Sequence, residues 1–238
     1  MTEFQPDRRA MLGAGALLFG AGAIATSARA QNAGAPATAW RPTSEASDRW
    51  MDKPGTRHRI AFDTTNAPAA SAGLAFALNY IHTTETGYGI RPDQLGVIVI
   101  MRHMATPFAF NDRIWAKYGR KFASILKLEG SEAIRAAREN PLLTRASDAP
   151  PPPKGLEWIA RHDIGNLTAM GVQIAACGLA TEGMAIDLAG EGKDWKPVFA
   201  ELSANLVPSA HLMPSGIVAV GHAQEHGYAI AYVGPEPS

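Results

Sequence analysis

The chain has 238 residues, 46% of them hydrophobic, and its 22 Lys and Arg are balanced by 22 Asp and Glu. With no net field and no basic run, nothing draws it electrostatically to nucleic acid or an anionic membrane surface. One cysteine excludes an internal disulfide framework, and the length suits a single domain that buries a full core without staples.

In chain order, residues 1–30 read as a targeting segment. Arg8-Arg9 precedes a fifteen-residue Gly/Ala-rich apolar run, Met11–Ala25, and Ala28-Arg29-Ala30 supplies a cleavage signature before Gln31. Paired arginines ahead of a modestly apolar core predict twin-arginine export to the periplasm. The rival reading is a retained anchor, but the run is shorter than the ~20 apolar residues of a spanning helix. Beyond the signal, 19 basic residues face 20 acidic ones. Contact with a membrane is therefore expected only through the export signal. Residues 31–57, rich in Ala, Pro, Thr, Ser and Asp, read as a flexible tether, interrupted by Trp40 and Trp50.

From residue 58 the pattern becomes regular. His58–Asp63 reads as a strand and Ala69–Glu85 as a helix, with Leu74, Ala77, Leu78 and Ile81 on one face. Leu95–Met101 is a continuous apolar, β-branched run, as in a strand buried on both sides. Pro107–Tyr118 reads as a helix, and residues 119–154 as an irregular insertion ending in Pro150–Pro153. Gly155–Met170 returns to helical spacing and leads into the strand that ends at Cys177. Glu182–Ala189 and Trp195–Ala204 read as short helices, and Ala210–Met213 as a brief strand. Ser215 is the predicted N-cap of a helix through His226, closed by Gly227. Tyr228–Val233 is the last strand. Strands alternating with helices predict an α/β fold, a five-stranded parallel sheet with both faces covered, over residues 58–234.

Three stretches carry a resemblance. Gly171-Val172-Gln173-Ile174-Ala175-Ala176-Cys177-Gly178 resembles the cysteine strand of the DsrE/DsrF-like sulfur-relay family. Pro214–Val220 with Gln224–Tyr228 is similar to that family's closing helix and strand. Met101–Phe108, then Asn111-Asp112 and Trp115–Tyr118, resembles an exported, twin-arginine-bearing branch of it. The resemblance implies a three-layer αβα, flavodoxin-like sandwich with strand order 2-1-3-4-5. It also implies assembly into trimers or hexamers, and a cysteine that carries sulfur as a persulfide between partner proteins. The export signal and the 119–154 insertion depart from the short cytoplasmic relay proteins.

In open parallel sheets, reactive groups gather at the carboxyl ends of the strands. That edge collects Asn66, Arg102, His103, Cys177, Gly178, His211 and Ser215, with Asn111 at the pocket mouth. Cys177 is the candidate reactive group and the others are candidate binding residues. The implied strand order opens the crevice beside Cys177, where Arg102 or His103 supplies a cation. A helix N-terminus and a cation both favour a thiolate, which can accept a sulfane sulfur by exchange. The bland alternative is an inert buried cysteine.

No cofactor is expected on this reading. Met101, His103, Met104, His211 and Met213 raise a copper site as a rival, since thioether, imidazole and thiolate are soft ligands. His222 and His226, four apart, read as a solvated helix end, where histidine suits the helix dipole. Ser215 is better explained as a cap than as a nucleophile. The expected function is thus an exported protein that binds or relays a sulfur species through Cys177 with a donor or acceptor protein. Its rivals are a periplasmic small-molecule or copper-binding module and a non-catalytic oligomeric scaffold.

Overall fold

The computed structural model describes residues 45–147 and 149–234. The signal, the anchor alternative and residues 31–44 of the tether lie outside the described residues. Among the described residues no helix is long and apolar enough to cross a membrane.

The core is a five-stranded, all-parallel sheet between two helical layers. Its strands are β1 (His58–Thr64), β2 (Leu95–Met101), β3 (Gln173–Cys177), β4 (Ala210–Met213) and β5 (Ala229–Val233). Every residue of β2 is buried, which explains why its sequence is apolar on both faces rather than alternating. The helices are α1 (Ala67–Tyr88), α2 (Asp112–Leu126), α3 (Gly130–Ala136), α4 (Ile164–Ala169), α5 (Gly178–Ala189), α6 (Lys196–Ser203) and α7 (Gly216–Glu225).

The strand order is β4-β3-β2-β1-β5, not 2-1-3-4-5. Each of the first three connections steps to the next strand in one direction, and the last returns across the sheet to the far side of β1. Because such crossovers are right-handed, the single reversed connection must pass over the opposite face. The packing agrees. Phe62, Val97, Val99, Ile174 and Ala176 face one buried cluster with α1, α2, α5 and α6. Ala61, Ile98, Ile100, Ala175 and Met213 face a smaller one with Ala219 and Ala223 of α7.

The packed domain begins before His58. Residues Ala46–Met51 form a 3-10 turn that lies on the smaller cluster, with Met51 wholly buried and Asp48 nearly so. The described part of the expected tether is therefore docked on the core, because Trp50 and Met51 carry enough apolar surface to hold it.

Three stretches also differ from the sequence reading. The stretch expected as one helix, Pro107–Tyr118, splits into a 3-10 turn at His103–Ala109 and α2. Asn111 caps α2 by accepting from the N–H groups of Arg113 and Ile114. The expected irregular insertion holds the end of α2 and all of α3. Gly119, where the irregular stretch was expected to begin, is a close-approach residue inside α2: a Cβ there would lie 1.8 Å from the Ala136 carbonyl oxygen. Gly155–Met170 is likewise a 3-10 turn, Glu157–Arg161, followed by α4, which Asp163 caps through the Asn166 N–H.

Candidate functional site at the carboxyl edge

Strand register sets the site. Met101 pairs with Ala176, so the next residues along each strand, Arg102 and Cys177, stand abreast; Cys177 in turn pairs with Met213. The chain leaves β3 into α5 on one face and leaves β4 into α7 on the other. The divergence that opens a crevice in such sheets thus falls between β3 and β4, beside Cys177. With the order first expected, Cys177 would have stood between the first and fourth strands; here β2 and β4 flank it.

That crevice is closed by backbone. A Cβ on Gly178 would lie 2.6 Å from the Met213 carbonyl oxygen and 3.0 Å from that of Pro214. Leu179 donates its N–H to Pro214 at 3.1 Å. The turn after β3 is zipped to the turn after β4, and Cys177 is left 6% exposed. Its Sγ accepts from the Ala180 N–H at 3.4 Å, as the N-cap of the twelve-residue α5. The Thr181 hydroxyl donates to the Cys177 carbonyl at 2.9 Å, tying the same turn from behind.

Arg102 supplies the cation. Its Nε and Nη2 donate to the two carboxylate oxygens of Asp63 at 2.7 and 2.9 Å. Asp63, buried at the end of β1, was not singled out from the sequence. Its signal was a lone acid directly after the apolar run Ile60-Ala61-Phe62, which in a buried position calls for a partner. The Asp63 pairing raises the guanidinium pKa above its ordinary value. The arginine stem crosses the first turn of α7. A Cβ on Gly216 would come within 2.1 Å of the Arg102 Cβ, so the glycine is what lets the stem pass.

The remaining candidates scatter. Asn66 caps α1 by accepting from the Ala69 N–H at 2.8 Å. Ser215 caps α7 by accepting from the Val218 N–H at 3.3 Å, as expected of it. Asn111 is occupied as the cap of α2. His103 is exposed, with a left-handed backbone at φ 52°. His211 is drawn away from the thiol: its ring stacks on Trp50 at 4.1 Å, and its Nε2 lies 2.9 Å from the Gln173 side-chain oxygen. Burial lowers its pKa. His103, His211 and Cys177 do not form one cluster, and among the described residues no group of three His, Cys, Asp or Glu side chains could hold a metal ion.

His222 and His226 are not a solvated helix end. His222 Nδ1 bonds the Asp48 carboxylate, and His226 Nδ1 lies 2.8 Å from Asp52. Both pairs clamp the segment before β1 onto α7.

Two cavities lie away from the thiol. One of about 400 Å³ sits at the amino edge of the sheet, lined by Arg49, Trp50, Lys53, Gly171 and Tyr228 among others. One of about 710 Å³ lies between α1 and the proline run, with Ala75, Leu78, Leu142 and Pro150–Pro153 in its walls. None of the candidate residues lines either.

No family model matches the chain, and neither the curated proteins nor the solved structures yield a match.

Proposed function

We propose that this is an exported sulfur-handling protein in which Cys177 takes up a sulfane sulfur and passes it to a partner. The observation that carries the reading is the placement of Cys177. It lies at the carboxyl end of an interior strand, at the N-terminus of α5, with a backbone N–H directed at Sγ and Arg102 abreast at the end of the neighbouring strand. An anion formed on that sulfur, or on a second sulfur attached to it, meets the positive end of the helix and a fixed cation.

The chemistry needs no external oxidant. The Cys177 thiolate attacks the outer sulfur of a persulfide donor, R–S–SH. The new Sγ–S bond forms as the donor's S–S bond breaks, and the electron pair and a proton leave as the thiol R–SH. Transfer to an acceptor thiol is the same exchange in reverse. One thiol suffices for carrying, which fits a chain with a single cysteine.

Leu179 and Ile217 support a partner at this edge. They sit in the first turns of α5 and α7, on either side of Pro214, and are 66% and 64% exposed. Export rests on the paired arginines and the apolar run of residues 8–25.

The test is intact mass of the full chain before and after polysulfide. A gain of one sulfur that cyanide or dithiothreitol removes, and that Cys177→Ser abolishes without changing the far-UV spectrum, supports the reading. Unchanged loading in Cys177→Ser, or no loading of the native protein, sinks it.

A further inference from the structure

The β4–α7 turn packs against Gly178 and Leu179, directly after the buried Cys177, and α7 has a weak grip of its own on the sheet. The face it presents is Gly216, Ala219 and Ala223 with the half-buried Val220 beside them, resting on a cluster with Ala61, Ile98, Ile100 and Ala175. Alanine side chains bury little area, so this contact contributes far less than a Leu- or Phe-faced helix would.

The large side chains of that layer come from elsewhere. Met51, fully buried, is carried by the segment before β1, and Tyr228, from the turn after α7, donates its hydroxyl to the Met51 carbonyl at 2.9 Å. Asp48 and Asp52 reach His222 and His226 on α7, and Trp50 stacks on His211 of β4. Arg59 joins the two by donating to the carbonyls of His226 and Lys53. Residues 46–53 thus form a strap, clamped along the C-terminal half of the helix whose N-terminal turn closes over the thiol.

We propose that this strap is the latch of a lid: α7 with the β4–α7 turn covers Cys177, and release of residues 46–53 lets the lid open and exposes the sulfur. The strap supplies the fully buried Met51, the partly buried Trp50 and both side-chain clamps on α7, so its detachment leaves the helix on Ala219, Ala223 and the half-buried Val220. The inference rests on Cys177 as the working group, but its content is access to the thiol, whatever chemistry follows.

The experiment is the rate of Cys177 alkylation by iodoacetamide in the full-length protein under native conditions. Met51→Ala and Asp52→Asn loosen the strap, the second with little change of volume. Leu202→Ala, in the cluster on the other face of the sheet, matches the loss of global stability without touching α7. The expected result is slow labelling of the wild type and a rise of about tenfold or more in the strap variants, as an opening of low free energy becomes populated. Leu202→Ala should stay within about twofold of the wild type while its folded fraction remains near unity.

Equal acceleration in Leu202→Ala would overturn the latch, since labelling would then report general instability. Unchanged rates in both strap variants would overturn it too, as would a wild type labelled as fast as the denatured chain. If Met51→Ala does not fold, Asp52→Asn decides alone. Lack of sulfur loading would leave the access result standing, so failure here and failure of the sulfur chemistry are separable.

Discussion

His226 and Asp52 stand 2.8 Å apart across 174 residues of chain, and His222 and Asp48 repeat the contact one turn away. Each pair has the same i, i+4 spacing on its own segment, so two ladders of side chains face each other. They dock a stretch whose composition reads as a tether and in which Trp50 was the signal of packing. The consequence for stability is specific. Met51→Ala removes a fully buried side chain from a small cluster and should cost ~2–5 kcal/mol. Urea unfolding measures it, and a cost below ~1 kcal/mol would mean the strap is superficial.

The pH dependence has two signed limbs. Burial against Trp50 lowers the His211 pKa, so the folded state takes up its proton at lower pH than the unfolded chain. The stability that follows is complete above about 6.5 and is lost as pH falls through the lowered value. Burial raises the Tyr228 pKa, so its contribution is complete below about 10 and is lost as pH rises through the raised value. His211→Gln should flatten the acid limb and Tyr228→Phe the alkaline one, read from melting temperature against pH. Limbs that survive both substitutions would assign the dependence to other groups.

Two glycines of α7 make a paired test. Gly216→Ala forces a Cβ onto the Arg102 stem at 2.1 Å, whereas at Gly221 a Cβ meets nothing within 4 Å. Gly216→Ala should destabilise by ~1–3 kcal/mol through overpacking. Gly221→Ala should stabilise by up to ~1 kcal/mol through helix propensity. The same sign at both positions, in chemical denaturation, would mean that the stem moves aside freely.

Breaking the Asp63–Arg102 pair from the arginine side leaves a buried carboxylate without its cation. Arg102→Gln should cost ~3–5 kcal/mol, and the cost should shrink when Asp63→Asn is added. Additive losses in that double-mutant cycle would show that the two side chains contribute independently.

A fourth contact tests the insertion. Gly119→Ala places a Cβ 1.8 Å from the Ala136 carbonyl oxygen and must push α3 off α2. Thermal unfolding should drop by several degrees, while Gly183→Ala, with open space around it, should not lower it.

Much of the candidate site was legible because its signals are local. Cys177 closes an apolar run before a glycine, Ser215 has the look of an N-cap, and Arg102 directly follows a buried strand; all three occupy those places. Asn66 and Asn111 were placed at the right turns, but their side chains are spent on capping. His211 was expected at the thiol, yet a strand residue's face depends on register, which no local pattern carries. The α2–α3 pair was hidden among Gly130, Pro141 and the proline run, and the role of Gly119, close packing on Ala136, depends on a partner that local sequence does not name.

By itself the sequence determined the five strands and the class of fold: period and alternation are properties of neighbouring residues, and five apolar runs between helices leave little choice but a covered parallel sheet. Tertiary structure alone decided the strand order, and with it which face each connection crosses and where the crevice falls. It alone sealed that crevice with Gly178 against Pro214, joined Asp63 to Arg102, and laid Met51 beneath Tyr228. Those contacts join residues dozens to more than a hundred positions apart, and only the closing of the whole sheet brings them within reach.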